Sequence, residues 1–359
     1  MTFLHDGSSR WRLRPARETD LDALDALAQA SAIGITSLPE DRALLAQALA
    51  RSCAAFAAMA SGDDASGEEV YLFVLQDQAR GGALVGTAGI TAAAGFNDRF
   101  YSYRNEFIVQ ASAELGARNR IHTLHLCHEL TGATLLTGFH IDAALADSAA
   151  PQLLSRGRLA FIAAHPERFS ERIAAENPGL ADDSGRCPFW EAVGQRFFGM
   201  AYPEAERSSG GHHPKAWIAE LMPQSPIYVP LLPDEAQWAL GQLHPVGELP
   251  FSILLDEGLD GDSHLNLFDG GPTAEGRVAA LKTVRRRRPV ALAADGAPPA
   301  RSPSGLALVD NGGGDGFVAL LAAAPAAGAG SPALSLAAAD RPAFADGRAW
   351  CALLDGARP

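Results

Sequence analysis

The sequence is poor in three features that would narrow its class at once: long apolar runs, paired cysteines and positive charge. No uninterrupted apolar stretch approaches the ~20 residues of a membrane-spanning helix, and the opening residues lack the apolar core of a signal peptide. Because 29 Lys and Arg face 42 Asp and Glu, the net charge of −13 argues against a nucleic-acid or membrane partner. The cysteines form no C-x-x-C pair, and we expect a reduced, cytoplasmic protein. They are Cys53, Cys127, Cys187 and Cys351.

Several motifs of known chemistry are also missing. There is no G-x-S-x-G nucleophile elbow, which argues against a serine hydrolase. The glycine-rich "FDGGPT" matches neither a P-loop nor a dinucleotide fingerprint, and we interpret it as a tight turn formed by Asp269 and its glycines. The "RRRR" run at 285–288 is most simply a solvated face of an acidic protein.

The elements that are present alternate between strand and helix patterns, which predicts the α+β class. Two β-rich runs joined by "QARGG" predict a hairpin. Ser37 and Glu40 are spaced as a capping box before a helix. The predicted strands are "WRLRPA", "VYLFVLQD", "ALVGTAGITAA", "TLHLCHEL" and "ATLLTGFHID", and the predicted helices include "ETDLDALDALAQA", "PQLLSRGRLAFIAAH" and "CPFWEAVGQRFF".

Composition changes along the chain suggest three parts. Residues 1–205 carry the first strand and helix series, and residues 206–290 begin after the polar "RSSGGHHP" stretch. Residues 291–359 are rich in Ala, Gly and Pro, and we expect a small, loop-rich, partly mobile appendage.

Three histidines, His122, His125 and His128, are clustered near Cys127 in "IHTLHLCHEL". Structural zinc sites use tight ligand pairs separated by loops, whereas this run reads as one strand with His122 and His128 on one face and His125 on the other. We therefore expect packed or hydrogen-bonded histidines and predict no metal ligands.

His244 lies in "QWALGQLHPVGELP", between an amphipathic run and a proline. Histidine suits proton transfer near neutral pH, and Pro245 restricts His244 to extended backbone angles, which would end the preceding helix there. From the residues alone, His244 is either a proton carrier or a polar residue at a helix end.

Ordered motifs over most of the chain resemble the arginine N-succinyltransferase family. Within it, "LTGATLLTGFHI", "SRGRLAFIAAHPERF" and "PIYVPLLP" are most similar to the alpha subunit of the two-subunit arginine/ornithine enzymes. The motifs are "LRPARETDLDAL", "GITSLP", "YLFVLQD", "GFNDRFYSYRNEFIVQAS", "IHTLHLCHELTG", "CPFWEAVGQRFF", "AELMPQSPIYVPLLP", "GQLHP" and "NLFDGGPT".

The resemblance implies a GNAT-like acyltransferase fold, with residues 206–290 as a second related segment. It implies transfer of a succinyl group from succinyl-CoA, a co-substrate rather than a tightly bound cofactor, to the α-amino group of L-arginine or L-ornithine in arginine breakdown. By the same resemblance, His244 is the proton donor and Phe139 contacts succinyl-CoA. A homologous beta subunit is the implied partner.

One stretch departs from the GNAT pattern. Enzymes of this type hold the CoA pyrophosphate with an R/Q-x-x-G-x-G/A loop at a helix N-terminus, and here the equivalent residues 146–151 read "ADSAAP". Alanine does not supply the backbone angles of glycine, and Pro151 has no N–H. Two hypotheses follow: a catalytic subunit that uses His244, or a non-catalytic partner that supports a beta subunit with an intact CoA loop.

The sequence does not single out the residues that would hold the substrates. A guanidinium is best bound by carboxylates, and Glu106, Glu129 and Glu220 all lie in family-like motifs without a ranking among them. Arg156 and Arg158 are the nearest basic residues to the altered loop, although solvated helix arginines are the simpler interpretation.

Overall fold

The computed structural model describes most of the chain. The described residues are 2–30, 38–39, 41–96, 99–182, 184–209, 221–293, 305–324, 333–344 and 347–354. The helices are α1 (Leu21–Gln29), α2 (Arg42–Ser61), α3 (Ala150–Ala164), α4 (Pro188–Ala192), α5 (Gly194–Phe198), α6 (Tyr202–Ser209), α7 (Asp234–Ala239), α8 (Pro245–Glu257) and α9 (Lys282–Arg286). The strands are β1 (Trp11–Pro15), β2 (Val70–Asp77), β3 (Ala83–Thr91), β4 (Ser102–Ser112), β5 (Ala117–Cys127), β6 (Thr134–Ile141), β7 (Arg172–Glu176), β8 (Ile227–Tyr228), β9 (Asp260–Leu265), β10 (Pro272–Arg277), β11 (Arg288–Leu292), β12 (Leu306–Asp310), β13 (Ala319–Ala323), β14 (Ala333–Leu334) and β15 (Ala349–Leu354).

The strands form one mixed sheet with helices packed against it, which confirms the predicted α+β class. Their order is β14-β11-β15-β12-β13-β1-β2-β3-β6-β7-β10-β9-β4-β5-β8. The β2–β3 hairpin predicted from "QARGG" is present, with Val70 opposite Thr91. Most neighbours are antiparallel, but β6 and β7 run parallel. This parallel pair lies near the middle of the sheet.

The sheet crosses both boundaries that composition suggested. Strand β7, from the first part of the chain, pairs with β10 over five residues from Thr273 opposite Glu176 to Arg277 opposite Arg172. At the other side, β13 of the C-terminal part pairs with β1. The described pieces of this tail are therefore part of the sheet, whereas the three-part division itself stays a prediction.

Helix α2 is long and apolar enough to cross a membrane by length and composition alone. Its Leu45, Leu49 and Phe56 are buried inside the protein, as expected for a helix that packs one face on a sheet. The Asp41 carboxylate caps its first turn by accepting the Ala43 N–H at 2.7 Å. The predicted capping box, Ser37 and Glu40, lies outside the described residues.

Helix α3 lies in the centre of the main core. Twelve of its residues are buried, and Phe161 packs edge-on against Phe56, Phe73 and Phe317 with ring centroids 5.0–5.7 Å apart. These aromatic contacts join α2, β2, α3 and the C-terminal part into a single apolar cluster. They hold α3 behind the strand pair where the candidate site lies.

Candidate functional site

The candidate site lies where β6 and β7 separate. Their parallel ladder covers Thr134 opposite Ile173 and Leu135 opposite Ala174. Beyond these residues β6 continues along β3, and β7 continues along β10. The two strands therefore diverge toward their carboxyl ends, and the carboxyl edge of parallel strands is a common place for ligands.

Phe139 lies at an irregular point of β6 beside this opening. The register of β6 against β3 shifts between Thr87 and Gly89. At this β-bulge Gly138 and Phe139 lie opposite Ala88, and Gly138 has a φ of +56°, which glycine adopts without strain. Bulges redirect side chains next to active sites, and the half-buried Phe139 ring packs against the main core.

Arg158 supports the bulge from inside the protein. Its guanidinium Nη1 donates to the carbonyl oxygens of Gly89 and Thr137, at 3.2 Å each. Its Cζ lies 5.8 Å from the centroid of the Phe139 ring. The residue is 1% exposed, and burial lowers its pKa to about 9. Arg158 is therefore a core residue, and the expectation of a solvated helix arginine was wrong.

Arg156 also turns inward, toward α8. Its guanidinium bonds to the buried Glu257 carboxylate and lies 2.5 Å from Asp256. Arg156 is 5% exposed, so it too was wrongly expected to be solvated. Neither arginine of "SRGR" forms a basic surface patch that an anionic cofactor could reach.

The start of α3 offers few free amide groups. Ser148 Oγ accepts the Ala150 N–H at 3.2 Å, so this N-terminal amide is already engaged. Pro151, in the first turn, has no N–H. The helix end that would face a pyrophosphate is thus partly closed by its own chain, as "ADSAAP" indicated.

His244 begins a helix rather than ending one. Its backbone is extended, with φ −62° and ψ 144°, and it is the N-cap of α8. The ring Nδ1 accepts the Val246 N–H at 3.3 Å, and the His244 N–H donates to the Pro178 carbonyl at 2.9 Å. The effect of Pro245 was therefore predicted correctly, but the preceding helix α7 already ends at Ala239. Pro178 follows β7, so His244 lies at the carboxyl end of the diverging strands.

Close backbone contacts between glycines join "GQLHP" and "FDGGPT". The Gly241 N–H donates to the Gly270 carbonyl at 2.9 Å. A Cβ on Gly179 would lie 2.5 Å from the Asp269 carbonyl oxygen, and one on Gly271 would lie 2.3 Å from the Asn177 carbonyl oxygen. The turn predicted from "FDGGPT" therefore lies directly against the segment that holds His244.

Gly179→Ala is expected to lower both stability and turnover. The added methyl group would force the 177–179 and 269–271 segments apart, and such overpacking typically costs about 1–3 kcal/mol. Urea unfolding measures the first effect, and steady-state turnover in the reaction that the sequence resemblance implies measures the second. Gly316→Ala is the control, because a Cβ there meets nothing within 4 Å. Wild-type values for Gly179→Ala would contradict the proposed close packing.

A buried polar group anchors the same turn. Asp269 is 3% exposed, and its carboxylate accepts the Gly271 N–H at 2.8 Å and the Tyr202 hydroxyl at 3.3 Å. The same hydroxyl lies 2.7 Å from Glu206. Burial, together with these nearby carboxylates, raises the pKa of Tyr202 well above its usual value. Tyr202 and Glu206 were not identified from sequence, since no local motif marks them.

The three histidines of the 122–128 run do not converge on one point. His122 bonds to Asn105 and stacks on the Phe107 ring at 4.7 Å. His125 lies 3.2 Å from the Thr123 hydroxyl. His128 packs on the Tyr101 ring, with centroids 6.2 Å apart. Each ring thus has its own neighbour, and the absence of metal ligands among the three stays a prediction.

A different histidine, His264 of β9, meets the end of that run. Its Nδ1 lies 2.6 Å from Glu275 and its Nε2 lies 3.3 Å from Glu129. Although burial opposes the charged ring, hydrogen bonds with Cys127 and Glu275 raise the pKa of His264 to about 10. Burial also opposes the charged form of the Cys127 thiol, but hydrogen bonds from His264, Ser102 and the Glu129 backbone together with the charge of His264 lower the pKa of that thiol. Sequence reasoning missed His264 and Glu275, because they lie in strands far from Cys127 along the chain.

The carboxylates considered for the substrate guanidinium are engaged within the protein where the structure describes them. Glu106 and Glu129 each lie 2.5 Å from the Arg104 guanidinium. Glu220 lies outside the described residues. The structure therefore brings Glu106 and Glu129 together around Arg104, on β4 and the end of β5.

Comparisons with known proteins agree on a single enzyme family. A family model described as arginine N-succinyltransferase beta subunit matches residues 11–283. The chain is 46% identical over 300 residues to arginine N-succinyltransferase subunit alpha of Pseudomonas aeruginosa, covering 84% of this chain and 86% of that protein. It is 36% identical over 299 residues to arginine N-succinyltransferase of Salmonella paratyphi B, covering 83% and 85%.

A solved structure agrees with these sequence matches. The structure of arginine/ornithine succinyltransferase subunit AI from Pseudomonas aeruginosa superposes with a TM-score of 0.83 at 39% identity. The match covers 96% of this chain and 98% of that one, so the tail strands are included. The fold predicted from the sequence resemblance is confirmed.

Proposed function

The chain belongs to the arginine N-succinyltransferase family and is an N-acyltransferase, and we propose that His244 and Phe139 flank its acyl-transfer site. As the alpha subunit of an arginine N-succinyltransferase, the chain transfers a succinyl group from succinyl-CoA to the α-amino group of L-arginine, or of L-ornithine, in arginine catabolism. The similarity to the alpha-subunit relative over most of both chains supports this assignment.

The divergence of β6 and β7 is the observation that supports this location of the acyl-transfer site. Phe139 lies in the carboxyl half of β6, and Pro178, which accepts the His244 N–H, follows the carboxyl end of β7. Because the two strands are parallel, both residues lie at the same edge of the sheet. A thioester entering between the strands would meet Phe139 on one side and the His244 ring on the other.

The proposed chemistry is an amine attack on the thioester carbonyl. The α-amino nitrogen forms a bond to the succinyl carbon, the C–S bond breaks, and the CoA sulfur leaves with the electron pair. His244, as an imidazolium, donates its proton to this thiolate, and the ring is restored by the proton that the amine loses. A positioned general acid of this type typically contributes about 10²–10⁴-fold to the rate.

The N-cap geometry of His244 couples this proton to the backbone. Nδ1 accepts the Val246 N–H only while it carries no proton, so the neutral ring presents Nε2–H as its donor. This capping bond is long at 3.3 Å.

The blocked start of α3 favours a second function, that of a non-catalytic partner. Several converging N–H donors hold a pyrophosphate at a helix N-terminus, and here the Ala150 N–H already donates to Ser148 while Pro151 cannot donate. Such a subunit would support a homologous beta subunit that binds succinyl-CoA itself. His244 favours the catalytic function, and the α3 N-terminus favours the partner function.

Calorimetric titration of succinyl-CoA into the isolated chain separates the two functions. We expect weak binding, because the α3 N-terminus is partly closed and the net charge of −13 repels an anionic co-substrate. Binding and succinyl transfer should rise when the homologous beta subunit is added. Tight binding and full turnover by the isolated chain would remove the partner function. If the mixture of both subunits turned over no faster than the beta subunit alone, the catalytic function of this chain would be rejected.

The remaining assignments follow from the same proposal. Succinyl-CoA acts as a co-substrate and no tightly held cofactor is needed, since His244 supplies the proton transfer. We place the protein in the cytoplasm, where its substrates and a reduced state of its four cysteines are expected.

A further inference from the structure

We propose that Cys127, Glu129 and His264 form a binding site for a borderline transition-metal ion, with Zn²⁺ as the best-suited ion. The site lies just after β5 and on β9, and β9 is two strands away from β7 in the sheet. It is independent of the proposed acyl-transfer residues, and it uses two residues of the histidine-rich motif that the acyl transfer leaves without a role.

The three ligand atoms already lie close together. Cys127 Sγ, one Glu129 carboxylate oxygen and one His264 ring nitrogen are all within 4.8 Å of one another. Zinc bonds of about 2.0–2.3 Å in a tetrahedron place neighbouring ligand atoms roughly 3.4 Å apart. The 3.3 Å between His264 Nε2 and Glu129 Oε2 matches that separation. A thiolate, an imidazole and a carboxylate together are a donor set that suits Zn²⁺.

A second carboxylate, that of Glu275, orients the His264 ring through its Nδ1 atom. Glu275 lies 2.6 Å from His264 Nδ1, and Arg172 lies 3.4 Å from the other Glu275 oxygen. With its Nδ1–H donated to Glu275, the ring directs Nε2 toward Cys127 and Glu129. Metal-binding histidines commonly have this carboxylate partner, which fixes the ring and strengthens the ligand.

The site is accessible from solvent and leaves one coordination position for a fourth ligand. Arg104 binds Oε1 of Glu129 at 2.5 Å, so Oε2 remains the ligand oxygen. Glu129 is exposed and Cys127 is half-buried, which gives an entry path from solvent. Three protein ligands leave one tetrahedral position for water. Binding displaces the proton that Nε2 or Cys127 carries, so metal uptake releases protons.

The test is metal uptake by the full-length purified protein after chelator treatment. Zn²⁺ titrated by calorimetry should bind at one ion per chain with proton release, and Co²⁺ should give a thiolate-to-metal charge-transfer absorption. Cys127→Ser should abolish that absorption. Glu275→Gln should weaken Zn²⁺ binding by about 10–100-fold, as expected for the loss of a ligand's supporting carboxylate.

Two control variants distinguish the site from adventitious binding. Cys53→Ser removes a half-buried thiol far along the chain, and His125→Ala removes a histidine of the same run; both should leave Zn²⁺ affinity and the Co²⁺ absorption unchanged. Wild-type protein that takes up no stoichiometric Zn²⁺ overturns the proposal, whatever the variants do. An unchanged Co²⁺ absorption in Cys127→Ser, folded as judged by circular dichroism, overturns it as well.

Discussion

His244→Ala is expected to lower the turnover of the assembled enzyme by about 10²–10⁴-fold, the usual contribution of a general acid. The ring also caps α8 through Val246, so the free energy of unfolding should fall by about 0.5–2 kcal/mol, the typical cost of losing an N-cap. Steady-state succinyl transfer with the proposed homologous beta subunit added, together with urea unfolding of the isolated chain, measures the two effects.

His244→Asn separates proton transfer from capping. Asparagine is among the best N-cap residues, and it has no proton to exchange near neutral pH. We therefore expect this variant to keep the stability of the wild type while losing as much turnover as His244→Ala. Wild-type turnover in His244→Asn would reject the proton-donor role. If His244→Ala lost much stability and His244→Asn restored both stability and turnover, the residue would act only through the helix.

Glu257→Ala is expected to lower the free energy of unfolding by about 3–5 kcal/mol, the range for breaking a buried ion pair. Glu257 is fully buried and bonds to Arg156, while its other oxygen accepts the Thr283 N–H at 2.8 Å. Its removal leaves the Arg156 guanidinium and the Thr283 amide buried without their main acceptor. Urea unfolding, with the midpoint shifted and the slope unchanged, measures the loss.

Asp256→Ala is the matched control for this pair. Asp256 contacts the same arginine at 2.5 Å and Lys282 at 2.7 Å, but its side chain is 44% exposed. Exposed ion pairs contribute about 0–1 kcal/mol, so this variant should be close to wild type. Equal losses in the two variants would contradict the argument from burial.

Much of the local structure was predictable because it depends on neighbouring residues. The run at 70–77 specifies a strand because its residues have high β-propensity, and the glycines of "QARGG" specify the turn of a hairpin. The extended backbone of His244 likewise follows from the proline next to it, Pro245. The family could be identified from motif wording for the same reason, since motifs are continuous in the chain.

Local reasoning failed where burial depended on distant parts of the chain. Arg156 and Arg158 looked like solvated helix residues, but the sheet and α8 cover α3 on both sides, so both side chains bond inside the protein. The Ala- and Gly-rich tail carried no local sign of its partner in the sheet, and the structure shows that β13 hydrogen-bonds to β1. Composition does not record which distant strand will supply a backbone partner.

The candidate sites divide in the same way. Sequence alone singled out His244 and Phe139, because both belong to continuous motifs, and it indicated the altered loop at 146–151. Only the tertiary structure placed His244 at the start of α8 and at the end of the diverging strands. It also brought His264 to Cys127 and Glu129. The physical reason is that the pairing of distant strands and the docking of helices depend on contacts between segments far apart in sequence, and a local pattern does not record which segments meet.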